Sequence, residues 1–117
     1  MAASSTCNLS CGWKQLEKDL FPCPACGFCV FETEWGGFEL CPLCGWEDCP
    51  VQLRDPIYTG GANINSLAVE QARALKKYPL GIDICKGFKR ASDWRPLNEA
   101  DLKRPPAENE SPYYWCR

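Results

Sequence analysis

Histidine is absent from all 117 residues. Its absence removes imidazole general bases, Ser-His-Asp and Cys-His nucleophiles, and every metal site built with a histidine ligand. Positive charge is also scarce. Thirteen Lys and Arg stand against fifteen Asp and Glu, for a net charge of -2 and a pI near 5.1. A nucleic-acid binder usually carries a basic face, so that partner class is not expected. The densest basic group, Lys86, Lys89, Arg90 and Arg95, is spread over ten positions and reads as a solvated surface. No apolar run approaches membrane-spanning length, and Met1 to Thr6 has neither a basic segment nor a following apolar region. No membrane association and a cytoplasmic location are therefore expected. With 45% hydrophobic and 24% charged residues, a chain of this length suits one globular domain.

Cysteine is the residue in excess. Ten in so short a chain suit either a disulfide scaffold or a metal protein, and spacing separates the two. The text Cys23-Pro24-Ala25-Cys26-Gly27-Phe28 returns as Cys41-Pro42-Leu43-Cys44-Gly45-Trp46. Each C-P-x-C-G turn aims two thiolates at a common centre, lets amides donate to sulfur, and uses glycine for its permissive backbone. Together Cys23, Cys26, Cys41 and Cys44 make a tetrahedral ligand set for a structural metal, with zinc expected. Iron is the rival, because tetrahedral thiolate sites accept either ion and paired turns beside aromatics also resemble rubredoxin. Disulfides through these turns would need strained closures, and a thioredoxin-like pair would need a βαβ setting. The intervening residues read as one hairpin: Phe28 to Thr33 outward, Gly36-Gly37 turning, Phe38 to Leu40 returning. Cys29 also lies at ligand spacing from Cys26, but without its own knuckle it reads as a strand residue beside the site.

Further along, Asp55-Pro56 and Gly60-Gly61 are turn chemistry, and Ser66 or Asn65 can cap a helix over about Leu67 to Tyr78, stopped by Pro79. Ala68, Ala72 and Leu75, widened by Leu67 and Tyr78, form its expected apolar stripe. Glu70 and Arg73 form an exposed pair. The expected fold is small α+β: a zinc-ribbon β-hairpin with its four-cysteine site packed on one main α-helix, the remainder irregular and loop-rich.

Several of these residues together resemble the bacterial cysteine-rich CPCC domain family: both knuckles, Gly45-Trp46-Glu47-Asp48, Gln52 ahead of Pro56, Gly60-Gly61-Ala62-Asn63, Ser66-Leu67 and Ala72-Arg73. The family's usual first knuckle is Cys-Pro-Cys-Cys-Gly, whereas Ala25 stands in the middle here, so a sulfur at that position is not required for a four-thiolate site. The resemblance implies a division into an N-terminal extension (1–20), a CPCC-type domain (21–83) and a C-terminal extension (84–117) packed on the domain or on a partner. It carries no settled activity; for a small stand-alone protein of this kind, a role as an immunity protein that neutralises a toxin is the working expectation.

Two function classes follow. The first is a non-enzymatic module with a protein partner, a toxin in the narrower form. The second is an enzyme or regulator using Glu47 and Asp48 as acid-base carboxylates, although sequence neighbours usually face apart and no nucleophile accompanies them. Asp48 has the simpler role of accepting amide hydrogen bonds after the second knuckle, with Trp46 shielding the metal. An iron-binding, rubredoxin-like electron carrier is the third alternative. Cys7, Cys11, Cys29, Cys49, Cys85 and Cys116 are open between a second metal site, disulfides and free thiols. Leu97 to Leu102 reads as a short helix, and Tyr113, Tyr114 and Trp115 either dock on the body or grip a partner.

Overall fold

The computed structural model describes residues 14–15, 18–103 and 110–116. The expectations that fall on Cys7 and Cys11 lie outside them.

Strands are short and pair only locally. β1 (Lys14–Gln15) runs antiparallel to β2 (Lys18–Asp19), β3 (Phe21–Pro22) to β4 (Cys29–Phe31), and β5 (Ile84–Cys85) to β6 (Phe88–Lys89). Helices α1 (Pro50–Arg54), α2 (Leu67–Lys77) and α3 (Glu99–Lys103) complete a small α+β fold, with a 3-10 turn at Tyr114–Cys116.

The single hairpin expected between the knuckles is replaced by two, each with a knuckle as its turn. β4 pairs backward with β3, in the register Phe21↔Phe31 and Pro22↔Cys29, so the first knuckle closes that ladder. The segment after Gly37 pairs forward: Leu40 bridges Glu47, Phe38 N donates to Asp48 O at 3.0 Å, and Asp48 N donates to Glu39 O at 2.9 Å. The reason is local. A C-P-x-C-G turn already reverses the chain within six residues, leaving the Gly-Gly segment to link two reversals. Two carboxylates hold that link. Glu39 accepts from Glu32 N at 3.0 Å and Thr33 N at 2.8 Å, and Asp48 accepts from Gly36 N at 2.9 Å.

α2 begins where Ser66 caps it, its hydroxyl accepting from Val69 N at 3.3 Å, and Tyr78 N closes the other end on Ala74 O. Its buried face is Leu67, Gln71, Ala74 and Tyr78, and Ala72 of the expected stripe is exposed. Gln71 explains the rotation. Its amide donates to Pro24 O at 3.1 Å and Tyr114 Oη at 2.8 Å and accepts from Leu97 N at 2.7 Å, so a polar side chain occupies the centre of the face with its hydrogen bonds satisfied.

The C-terminal aromatics pack inward. Tyr113 and Tyr114 are buried, Trp115 nearly so, and Tyr113 stacks on Trp115 with centroids 4.6 Å apart. Tyr114 donates to Arg95 O at 2.6 Å, while Tyr113 Oη accepts from Trp35 N at 3.1 Å. Half of the basic group is spent internally: Arg90 is buried, and Arg95 pairs with Asp101 at 2.6 Å. Among the described residues, no helix is long and apolar enough to cross a membrane.

Candidate metal centre

The two knuckles repeat one hydrogen-bond pattern. Cys23 N donates to Phe28 O at 2.9 Å and Gly27 N to Cys23 O at 2.7 Å; Cys41 N donates to Trp46 O at 2.8 Å and Gly45 N to Cys41 O at 3.0 Å. The chain can close so tightly only because Gly27 and Gly45 take φ of 82° and 85°. In the second turn Leu43 N and Cys44 N both point at Cys41 Sγ, at 3.4 Å each.

The repeated turns bring four sulfurs together. Cys23 Sγ lies 3.6 Å from Cys44 Sγ and Cys26 Sγ 3.8 Å from Cys41 Sγ, and all four sulfurs sit within 4.8 Å of one another. A tetrahedron with metal–sulfur bonds of about 2.3 Å has sulfur–sulfur edges of roughly 3.8 Å, so the cage matches a single ion. None of the four is disulfide-bonded. Cys23, Cys26 and Cys41 are buried, and Cys44 alone is half-exposed. Burial, followed by hydrogen bonds with the other three thiols, raises Cys23 well above the usual thiol range. Hydrogen bonds from Cys23, Cys26 and Cys44 hold Cys41 far below it.

Among the described residues, the other cysteines take no part. Cys29 is buried on β4 and disulfide-bonded, so it offers no thiolate as an alternative ligand. Cys116 is likewise disulfide-bonded, which removes it from a second metal site, while Cys49 and Cys85 are free thiols. Among the described residues, the four knuckle cysteines are the one group of three or more ligand side chains that could hold an ion.

With both knuckles, their spacing and the following helix in place, residues 21–87 match the family model Cysteine-rich CPCC, more than half of the chain. The chain belongs to the cysteine-rich CPCC family. No curated protein matches it. The CPCC match spans both hairpins, α1, α2 and the β5–β6 turn; of the three polar residues that support the knuckles, Gln52 and Asn63 lie within it and Arg90 lies just beyond.

Three of these supports were not legible as such. Gln52 is fully buried, its amide donating to Tyr58 O, Asn63 O and Asn65 O at 3.0–3.1 Å. Asn63 returns two bonds to Gln52 Oε1 at 3.0 Å and clasps the Glu47 backbone, donating to its carbonyl at 2.8 Å and accepting from its N–H at 2.9 Å. Loop 55–65 is thus tied to the exit of the second knuckle. Gly61 lies against this amide, and a Cβ there would meet Gln52 Cδ at 2.9 Å. The third support is Arg90. Its guanidinium donates to Cys26 O at 2.9 Å, Tyr78 O at 2.8 Å, Pro79 O at 2.8 Å and Ile82 O at 2.9 Å, and stacks on Phe28 with 4.4 Å to the ring centroid. One cation therefore joins the first knuckle to the end of α2. A polar residue beside a Gly-rich turn was the available signal for Gln52 and Asn63; Arg90 had none, because its acceptors are distant in sequence.

Glu47 and Asp48 diverge in use. Asp48 is fully buried, one oxygen accepting from Gly36 N at 2.9 Å and Gly37 N at 3.4 Å, the other with no partner. Burial raises its pKa to about 6 against the lowering effect of these amides.

Proposed function

We propose that Cys23, Cys26, Cys41 and Cys44 hold one structural zinc ion, and that the chain is a zinc-ribbon interaction module with no turnover of its own. The observation that carries this reading is four sulfurs, three of them buried, within 4.8 Å at the ends of two repeated turns. Four thiolates around a divalent ion fill a tetrahedron, leaving no position to activate water or substrate. The ion's contribution is folding energy, and the chain supplies rigid turns, amides aimed at Cys41, and Arg90 behind Cys26. Iron fits the same sulfur cage; metal analysis and colour distinguish the two. On the enzyme alternative, the engagement of Asp48 with the Gly36-Gly37 turn supports a structural use of that carboxylate.

Purified full-length protein is expected to hold one zinc per chain by elemental analysis. Its replacement by Co(II) should give the intense visible and near-ultraviolet bands of a tetrahedral thiolate site. Chelation should abolish near-ultraviolet dichroism, since structural zinc is linked to folding by roughly 10 kcal/mol or more. Full retention of native dichroism and melting temperature after complete metal removal would overturn the reading.

Support for a protein partner comes from apolar side chains left outside: Phe38, Leu40, Val51, Ile57 and Ile64 are each more than half exposed. A toxin neutralised by this chain is the narrower form. Co-purification with a toxic enzyme from the native host tests it. Among the described residues, six free cysteines suit a reducing compartment such as the cytoplasm, whereas the disulfide-bonded Cys29 and Cys116 suit an oxidising one. Trapping thiols in intact cells before lysis decides between them.

A further inference from the structure

The sulfur cage has one door. Cys23 and Cys26 are 0% exposed and Cys41 2%, so solvent reaches the cluster at Cys44. A cavity of about 190 Å³ opens onto that cysteine, lined by Cys44, Glu70, Arg73, Ala74 and Lys77. Its volume is smaller than the ~300–1,000 Å³ typical of drug-sized ligands, which limits the occupant to a compact molecule.

The charges at this door are not balanced. Arg73 and Lys77 stand four residues apart on α2, on the same side as Cys44, and among the described residues lining the cavity only Glu70 opposes them. Glu70 is already engaged, accepting from Asn65 Nδ2 at 2.7 Å and lying 3.5 Å from the Arg73 guanidinium. Arg73 keeps most of its side chain in solvent, at 69% exposure, so its charge faces incoming solutes. A cleft rimmed by two cations concentrates anions ahead of the sulfur.

We propose that this cleft is an entry site for a small anionic thiol, and that Cys44 is the ligand through which the metal is exchanged. The proposal rests on the metal-binding reading above. In the exchange, the incoming thiolate forms a bond to the ion as the bond to Cys44 Sγ breaks. Cys44 leaves as a thiolate and takes a proton from solvent, and no atom changes oxidation state. The buried partners Cys23, Cys26 and Cys41 keep hold of the ion until Cys44 has gone, which makes this cysteine the point of both loading and release.

The test uses metal-loaded full-length protein and two thiol probes, anionic mercaptosuccinate and neutral 2-mercaptoethanol, at equal thiolate concentration. Zinc release is followed with a chromogenic chelator. Mercaptosuccinate is expected to release zinc roughly tenfold faster at low salt. That advantage should vanish in R73E/K77E and shrink in high salt. In R73Q/K77Q, a milder change on the exposed face of α2, it should fall to an intermediate value. The 2-mercaptoethanol rate should stay the same in all three proteins. In parallel, iodoacetamide on the loaded protein should label Cys44 before the other three, as read by peptide mass mapping. Equal rates for the two thiols in fully loaded protein, an advantage that survives both double variants, or first labelling at a buried cysteine would each overturn the proposal alone. Failure of the protein to hold one metal per chain would instead remove the reading beneath it.

Discussion

The same residue in the same motif can have unequal weight, and the two knuckle glycines show it. Both take positive φ, but a Cβ on Gly27 would meet the Trp94 ring at 2.5 Å, whereas nothing lies within 4 Å of one on Gly45. Gly45→Ala is therefore expected to cost about 1 kcal/mol of backbone strain, and Gly27→Ala at least ~2 kcal/mol more because the Trp94 packing must shift. Urea unfolding of metal-loaded proteins measures the difference. Asp48 sets a second test at this scale. Its folded pKa of about 6 lies above the ordinary value near 3.9, so its contribution to stability is complete below about pH 4 and is lost as pH rises through 6. Asp48→Asn should remove this loss. Relative to the parent, the variant should gain stability as pH rises from 5 to 8, by about 1 kcal/mol. Comparing the two proteins at each pH cancels changes they share, including those of the sulfur cage. A flat difference would show that Asp48 is no more costly to ionise in the fold than out of it.

At the scale of elements, α2 shows how a buried polar residue misleads a reading by hydrophobic period. Counting apolar side chains selects Ala68, Ala72 and Leu75, widened by Leu67 and Tyr78; Leu67 and Tyr78 are indeed buried, but Gln71 and Ala74 complete the buried face and Ala72 is exposed. A leucine at position 71 would complete an apolar face on paper. Gln71→Leu is nonetheless expected to destabilise by about 2 kcal/mol or more, because Leu97 N, Pro24 O and Tyr114 Oη each lose a buried partner. Thermal unfolding checks the sign, and a stabilised variant would refute this account of the helix face. The hairpins teach a related lesson. Phe28 to Thr33 contains the strand Cys29–Phe31, but its partner is Phe21–Pro22 because the knuckle is itself a reversal. The helix limits were legible within a residue, since Ser66 caps and Pro79 stops it through local chemistry.

For the molecule as a whole, the C-terminal aromatics complete the core rather than hang from it. Tyr114 is fully buried and joins Gln71 of α2 to the Arg95 backbone. Tyr114→Phe should cost about 1–2 kcal/mol through the lost hydroxyl, and Tyr114→Ala about 3–5 kcal/mol through the cavity as well. Denaturation midpoints at constant slope would measure both. Arg90 acts at the same scale, binding the first knuckle to the end of α2 from sixty-four residues away in the chain.

Turn geometry and the capped helix followed from the amino-acid order alone, because each depends on residues within a few positions: C-P-x-C-G makes its own turn, and Ser66 caps its own helix. The convergence of four sulfurs was legible for the same reason, the motif being present twice. Tertiary structure decided which strand pairs with which, which face of α2 turns inward, and that only Cys44 meets solvent. Those outcomes depend on partners far along the chain, Gln71 with Tyr114 and Arg90 with Cys26. A buried polar group is stable only once the fold has brought its acceptor to it, and local sequence carries no record of that meeting.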